Sequence, residues 1–243
     1  MTQFATSSVL GLPVHLSDDY VGWLLHQWGA GQGSHVVTIN AEMALLGSRD
    51  RKLADIIGQA DLVIPDGAGV VLYLRFRGIK QPRMPGIELA EQLLTTLGSR
   101  SAKVCFFGGK PGIASAAADH WRTRAPGLAV IENHGYLKGI DLTDWQAQIK
   151  AEQPLLILVG MGVPRQEEWI IANRDLCPGA IWIGVGGSFD IWSGNKERAP
   201  QWMCRANLEW LYRLYQEPWR WRRMLALPQF FFNALTYRDA SSS

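Results

Sequence analysis

Cysteine is scarce, and what there is does not pair: Cys105, Cys177 and Cys204 lie far apart with no CxxC between them. An odd, dispersed set argues against a disulfide framework or a zinc site and for a reducing cytosol. The five histidines form neither HxH nor HxxxH. Long apolar runs are missing too. Stretches such as Leu155–Val163 fall well short of the roughly 18 residues a membrane-spanning helix needs. The N-terminus, MTQFATSSVLGLPVHL, has no basic segment ahead of an apolar run, so no secretory signal is expected. There is no internal repeat, no Gly-X-Y period and no low-complexity segment beyond the terminal serines. Neither a GxxxxGK[ST] loop nor a complete GxGxxG occurs.

What is present suits a folded chain. Hydrophobic residues make up 47% and charged residues 19%, which allows a sizeable core and excludes wholesale disorder. The length of 243 residues fits one or two domains. Charge is unevenly placed. Lys196 to Arg238 carries eight basic and three acidic residues, a net +5, which leaves −3 for the rest of a chain whose total is +2. The same stretch holds Trp202, Trp210, Trp219 and Trp221, with Tyr212, Tyr215 and Phe230 to Phe232. A basic, aromatic-rich end suggests an anionic partner: a membrane surface, a nucleic acid or a diphosphate.

Short apolar runs recur at Val36–Ile39, Leu62–Ile64, Val104–Phe107, Leu128–Ile131, Leu155–Val159 and Ile181–Val185. They are apolar on both alternating faces, the pattern of strands buried on two sides. Helix-like segments follow most of them: Ala41–Gly47, Gly67–Phe76, Pro111–Arg124, Asp141–Ala151 and Pro164–Arg174. This alternation predicts an α/β fold, a mostly parallel sheet with helices on both faces, and ligands at the strands' C-terminal edge. The alternation stops near Ala199–Pro200. Residues 1–199 are expected to form the core and 200–243 a helical appendage. Within the appendage Leu208, Leu211, Tyr212 and Tyr215 follow i, i+3, i+4, i+7, an amphipathic helix. A second helical stretch is expected to run from Pro218 toward Leu227.

Candidate residues cluster where these strands end. Thr38 and Asn40 alternate at the tip of the first strand, and Asn40 is as well suited to cap the next helix as to meet a ligand. Asp66 follows the second strand, in Pro65-Asp66-Gly67-Ala68-Gly69. Its spacing favours an N-cap carboxylate, and its place at the ligand edge would let it take a proton from a hydroxyl. Gly108, Gly109 and Lys110 precede Pro111, which is placed for a first helical turn that could receive a phosphate. Gly160-Met161-Gly162 and Gly184-Val185-Gly186-Gly187 form two further glycine-rich loops, with Gln166 and Asp190 just beyond them. These offer an amide and a carboxylate, or alternatively surface polarity and a helix cap. No DxD occurs, so a departing diphosphate would need another counter-charge. Arg83 and the appendage arginines are the candidates.

Taken in order, TINAEM, ADLVIPDGAGV, FFGGKPG, GMGVPRQEEWI, IGVGGSFDIWSG and RAPQWMCRANLEWLYRLYQEPWRWRR resemble the WecG/TagA/CpsF family of bacterial glycosyltransferases, from about Leu10 to about Leu227. The resemblance implies a Rossmann-like core with a membrane-associating appendage. It also implies inverting, metal-independent transfer of a sugar from a UDP-sugar to a polyprenyl-diphosphate-linked saccharide, with no cofactor, on the cytoplasmic face of the cell membrane. On matching positions Asp66 is the general base, and Thr38 and Asn40 line its pocket. Arg83 and Gln166 meet diphosphate and sugar, and Tyr136 and Asp190 lie near the uridine. Arg213, Arg220 and Arg223 reach the lipid diphosphate. Where relatives commonly carry G-T-D-L or similar, this chain has Gly86-Ile87-Glu88-Leu89, which leaves the donor open between a hexose and an N-acetylhexosamine. Self-association is left open. Two other classes compete: a nucleotide-binding regulator without chemistry, and a nucleic-acid binder using the basic tail. The many apolar residues between the arginines disfavour the latter.

Overall fold

A computed structural model describes residues 4–221 and 225–237. An antiparallel hairpin, β1 (Ala5–Val9) and β2 (Leu12–Leu16), comes first. Then follow β3 (Ser34–Ile39), β4 (Leu62–Pro65), β5 (Lys103–Gly108), β6 (Ala129–Asn133), β7 (Leu156–Gly160) and β8 (Ile181–Gly184). These six form one parallel sheet in the order β4-β3-β8-β7-β5-β6. Each lies within two residues of its expected limits.

The double-sided apolar runs explain the layers. Val36, Ile64, Phe106, Leu158 and Ile183 pack on one face with α1 (Tyr20–Gly29), α5 (Gly86–Gly98), α6 (Ile113–Arg124) and α9 (Ser188–Trp192). Their strand neighbours turn the other way. Val37, Ile39 and Val63 pack with α2 (Ala41–Gly47), α3 (Arg51–Gly58) and α4 (Ala68–Phe76). Phe107, Ile157 and Val159 pack with α7 (Gly139–Glu152) and α8 (Arg165–Asn173). Phe106 stacks on Phe189 at 5.2 Å, and Trp121 meets Trp192 edge-on at 5.6 Å. These rings fix α9 on the sheet, and with it Asp190.

The appendage contains α10 (Gln201–Arg205), α11 (Glu209–Gln216), a 3-10 turn at Pro218–Arg220 and α12 (Ala226–Thr236). The expected amphipathic helix is present as α11, but its apolar face is only partly covered. Leu208 and Tyr212 are half-buried, Leu211 and Tyr215 are exposed, Tyr215 by 82%, and Glu209 is buried. Of the expected stretch toward Leu227, residues 222–224 lie outside the described residues; Trp221 before them is helical, and a helix runs from Ala226 to Thr236. Its Phe230 and Ala234 are buried in the core cluster that holds Val70 and Tyr73 of α4. The last helix of the appendage therefore shares the core of residues 1–199.

Candidate active site

Asp66 stands where β4 stops. Its N–H and that of Gly67 both donate to the Ile39 carbonyl, at 3.0 and 3.2 Å, which pins the turn to β3. The expectation that Asp66 caps the next helix is corrected: Gly67 is the N-cap of α4, with no side-chain bond. The Gly86 N–H at the start of α5 lies near the Asp66 carboxylate and favours its charged form. The residue before that helix is Pro85, which has no capping side chain. Glycine is needed at 86, because a Cβ there would lie 2.8 Å from Thr38 Cγ2.

Asp66 lines a cavity of about 160 Å³ with Asn40, Gly67 and Arg83 of the core and Glu209, Trp210, Arg213 and Leu227 of the appendage. Asn40 caps α2, its Oδ1 accepting from Met43 N at 3.0 Å, and the residue also lines the cavity. Thr38 does not line it, a correction. Its buried hydroxyl donates to the Gly184 carbonyl at 3.1 Å and ties β3 to β8. Ile87 is buried in the core and Glu88 pairs with Arg198, so the segment that departs from the family pattern does not reach this cavity.

Burial pushes the Asp66 pKa up to about 6; Arg213 and Arg83 oppose this and Glu209 adds to it. Burial would raise Glu209 too, but Arg83, the Cys204 thiol and Arg198 together hold it below the usual carboxylate range. Arg83 Nη2 lies 2.5 Å from Glu209 Oε2, and Arg198 Nε lies 3.5 Å from Oε1. Arg83 is therefore on the cavity wall, with its guanidinium paired with the appendage.

A second cleft opens at β5 and β7, where the connections leave in opposite directions, the usual place for a ligand in such sheets. Gly109, Lys110, Tyr136 and Asp190 line it. So do Met161, Arg165, Asn195 and Lys196, none of which was singled out from the sequence. Arg165 follows a glycine loop at the first residue of a helix, a signal that was there to be used. Its guanidinium lies 5.8 Å over the Tyr136 ring. Gly108 has φ +146°, and a Cβ would meet the Gly160 carbonyl at 2.4 Å. The first-turn expectation for Pro111 is corrected: α6 starts at Ile113, after Gly112 at φ +86°. Asp190 is inside α9 rather than its cap, and accepts from Asn195 at 2.9 Å. Gly187 is that N-cap, and it is exposed. Gln166 is buried beneath the loops, a correction to its expected place on substrate.

The single shared cleft that the residues suggested is thus two openings on one sheet edge. Thr38, Gly184 and Gln166 stand between them, and β4 and β7 are three strands apart, roughly 14 Å. Arg213 faces the Asp66 cavity, Arg220 lies on the 3-10 turn, and Arg223 is outside the described residues.

The glycosyl transferase WecG/TagA/CpsF family model matches residues 7–242. The N-acetylglucosaminyldiphosphoundecaprenol N-acetyl-beta-D-mannosaminyltransferase of Bacillus subtilis (strain 168) is 35% identical over 205 residues, 84% of this chain and 79% of the relative. The protein of the same name from Bacillus spizizenii is 32% identical over 241 residues, 98% of this chain and 90% of its own. One from Staphylococcus aureus (strain MW2) is 34% identical over 202 residues, 81% and 78% respectively. With a family match that runs almost end to end and relatives this similar over most of their length, the chain belongs to the WecG/TagA/CpsF family and is a glycosyltransferase.

Proposed function

We propose that the protein transfers an N-acetylhexosamine or hexose from a UDP-sugar to a saccharide on polyprenyl diphosphate, with inversion, at the cytoplasmic membrane face. The observation that carries this is Asp66: a carboxylate with its pKa raised to about 6, on a cavity wall that also holds Arg213 and Arg83. Uridine lies in the second cleft, against Tyr136 and Asp190, and the sugar reaches across the sheet edge toward Asp66. Asp66 accepts the proton of the acceptor hydroxyl while that oxygen attacks the anomeric carbon. The bond to UDP breaks, and UDP leaves with the electron pair from the opposite face. A value near 6 leaves most of Asp66 ionised at pH 7.5 yet makes it a better base than an ordinary aspartate. Arg213, on the wall of the Asp66 cavity, supplies positive charge for the diphosphate of the acceptor.

The exposed apolar residues of α11 support the membrane part. Glu209, Trp210 and Arg213 line the cavity, while Leu211 and Tyr215 are exposed, with Trp219 and Trp221 exposed nearby. Among the described residues no helix is long and apolar enough to cross a membrane, so the proposed attachment is interfacial. The test is a panel of UDP-sugars with polyprenyl-diphosphate acceptors, read by mass spectrometry. Extension of an acceptor by one sugar is expected; no extension with any donor refutes the proposal.

A further inference from the structure

We propose that Glu167 and His35 are positioning residues for the second cleft, acting through the Gln166 amide. The inference rests on the donor site proposed above. Glu167 and His35 are wholly buried, with Glu167 Oε2 3.0 Å from His35 Nε2. A carboxylate so deep is costly unless paired, and it is retained at the first turn of α8, next to the two loops that shape the cleft.

The hydrogen bonds run on in one direction. Glu167 Oε1 accepts from Gln166 Nε2 at 2.9 Å. Gln166 Oε1 accepts from the Gly162 N–H at 3.2 Å and from the Gly186 N–H at 3.1 Å. Gly162 belongs to the loop after β7 and Gly186 to the loop after β8. An amide has two ends, and a flipped Gln166 would set its NH₂ against two N–H donors. Glu167 Oε1 accepts here, so it selects the orientation in which the Gln166 carbonyl meets both loops. His35 then donates from Nε2 to the second carboxylate oxygen and holds Glu167 still. His35 Nδ1 has no hydrogen-bond partner, so Nε2 is the polar anchor of this ring. The end of β8 is shaped to receive the strut: a Cβ at Gly184 would lie 2.3 Å from Gln166 Nε2 and 2.4 Å from Glu167 Oε1.

The consequence falls on the cleft. Met161 precedes Gly162, Asp190 follows Gly186, and Arg165 adjoins Gln166; all three line it. The strut sets the distance between these walls without lining the cleft itself.

The test uses the full-length protein, with calorimetric titration of UDP and steady-state kinetics on a UDP-sugar. His35→Phe is expected to weaken UDP binding and raise the donor KM about tenfold, with kcat within about threefold. His35→Gln keeps a donor toward Glu167 and is expected to stay within about threefold of wild type in both. Gln166→Met should reproduce the loss, and the double variant should be no worse than Gln166→Met alone. Losses that multiply, or equal losses in His35→Phe and His35→Gln, overturn the proposal. Should His35→Phe not fold, the imidazole ¹⁵N spectrum of the unaltered chain decides: a protonated Nε2 is expected, and an unprotonated one overturns it. Wild-type protein that binds no UDP overturns the donor site as well. UDP binding equal in all variants overturns the strut alone.

Discussion

A carboxylate that must leave water and face two guanidiniums can titrate in either direction, and at Asp66 burial wins. If its ionised form is the base, kcat/KM should rise with pH through about 6 and then level off. A profile that is flat from pH 5 to 8 would contradict that. The same shift has a stability consequence. The folded value lies above the roughly 3.9 of an unfolded aspartate, so the folded state holds the extra proton between about pH 4 and 6. Stability contributed by Asp66 is therefore lost as pH rises through that window. Asp66→Asn should be more stable than wild type at pH 7.5, by about 1–3 kcal/mol, with the gap closing near pH 4. Thermal melts at the two pH values test this. At this scale the sequence was a good guide to which residues gather at the strand ends and a poor guide to what each side chain does there. Asn40 and Asp66 reach a cavity wall. Thr38 and Gln166, from equally suggestive positions, turn inward to bind Gly184, Gly162 and Gly186. A residue's place in a motif does not say which way its side chain points once the helix has started.

Among the elements, α11 shows how far a periodic pattern reaches. The spacing of Leu208, Leu211, Tyr212 and Tyr215 identified a helix, but not which side is buried, because Glu209 finds Arg83 and Arg198 inside. Glu209→Gln should leave Arg83 short of its counter-charge and loosen α10 and α11, at a cost of about 1–3 kcal/mol. Trypsin should then cut faster at Arg205 and Arg213, with the rest of the chain intact; unchanged cleavage would mean that this ion pair does not hold the appendage. The inner sheet strands were legible because two-sided burial demands apolar residues at most positions. The hairpin was not. Its β2 contains Pro13, and its two-residue turn uses Leu10 and Gly11, both at positive φ, where Asn-Gly would have been the recognisable signal. The β4–β5 connection hides α5, whose start at Pro85-Gly86 carries no side-chain cap to mark it.

At the scale of the whole molecule, two openings on one sheet edge lie beside an appendage whose Leu211 and Tyr215 are exposed. Leu211→Ser with Tyr215→Ser should reduce binding to anionic vesicles by about tenfold or more, since two apolar side chains lose their contact with lipid. Both residues are exposed, so the melting temperature should barely move. Flotation that matches wild type would remove α11 from the membrane-facing surface. Beneath this lies the claim that one carboxylate takes the acceptor's proton while uridine diphosphate is held elsewhere. The direct measurement compares Asp66→Asn with wild type in a single-turnover assay on a UDP-sugar and a polyprenyl-diphosphate acceptor, with UDP affinity measured on the same samples. Transfer slower by about 10²–10⁴-fold with UDP affinity unchanged is the expected result. Transfer at the wild-type rate would contradict it.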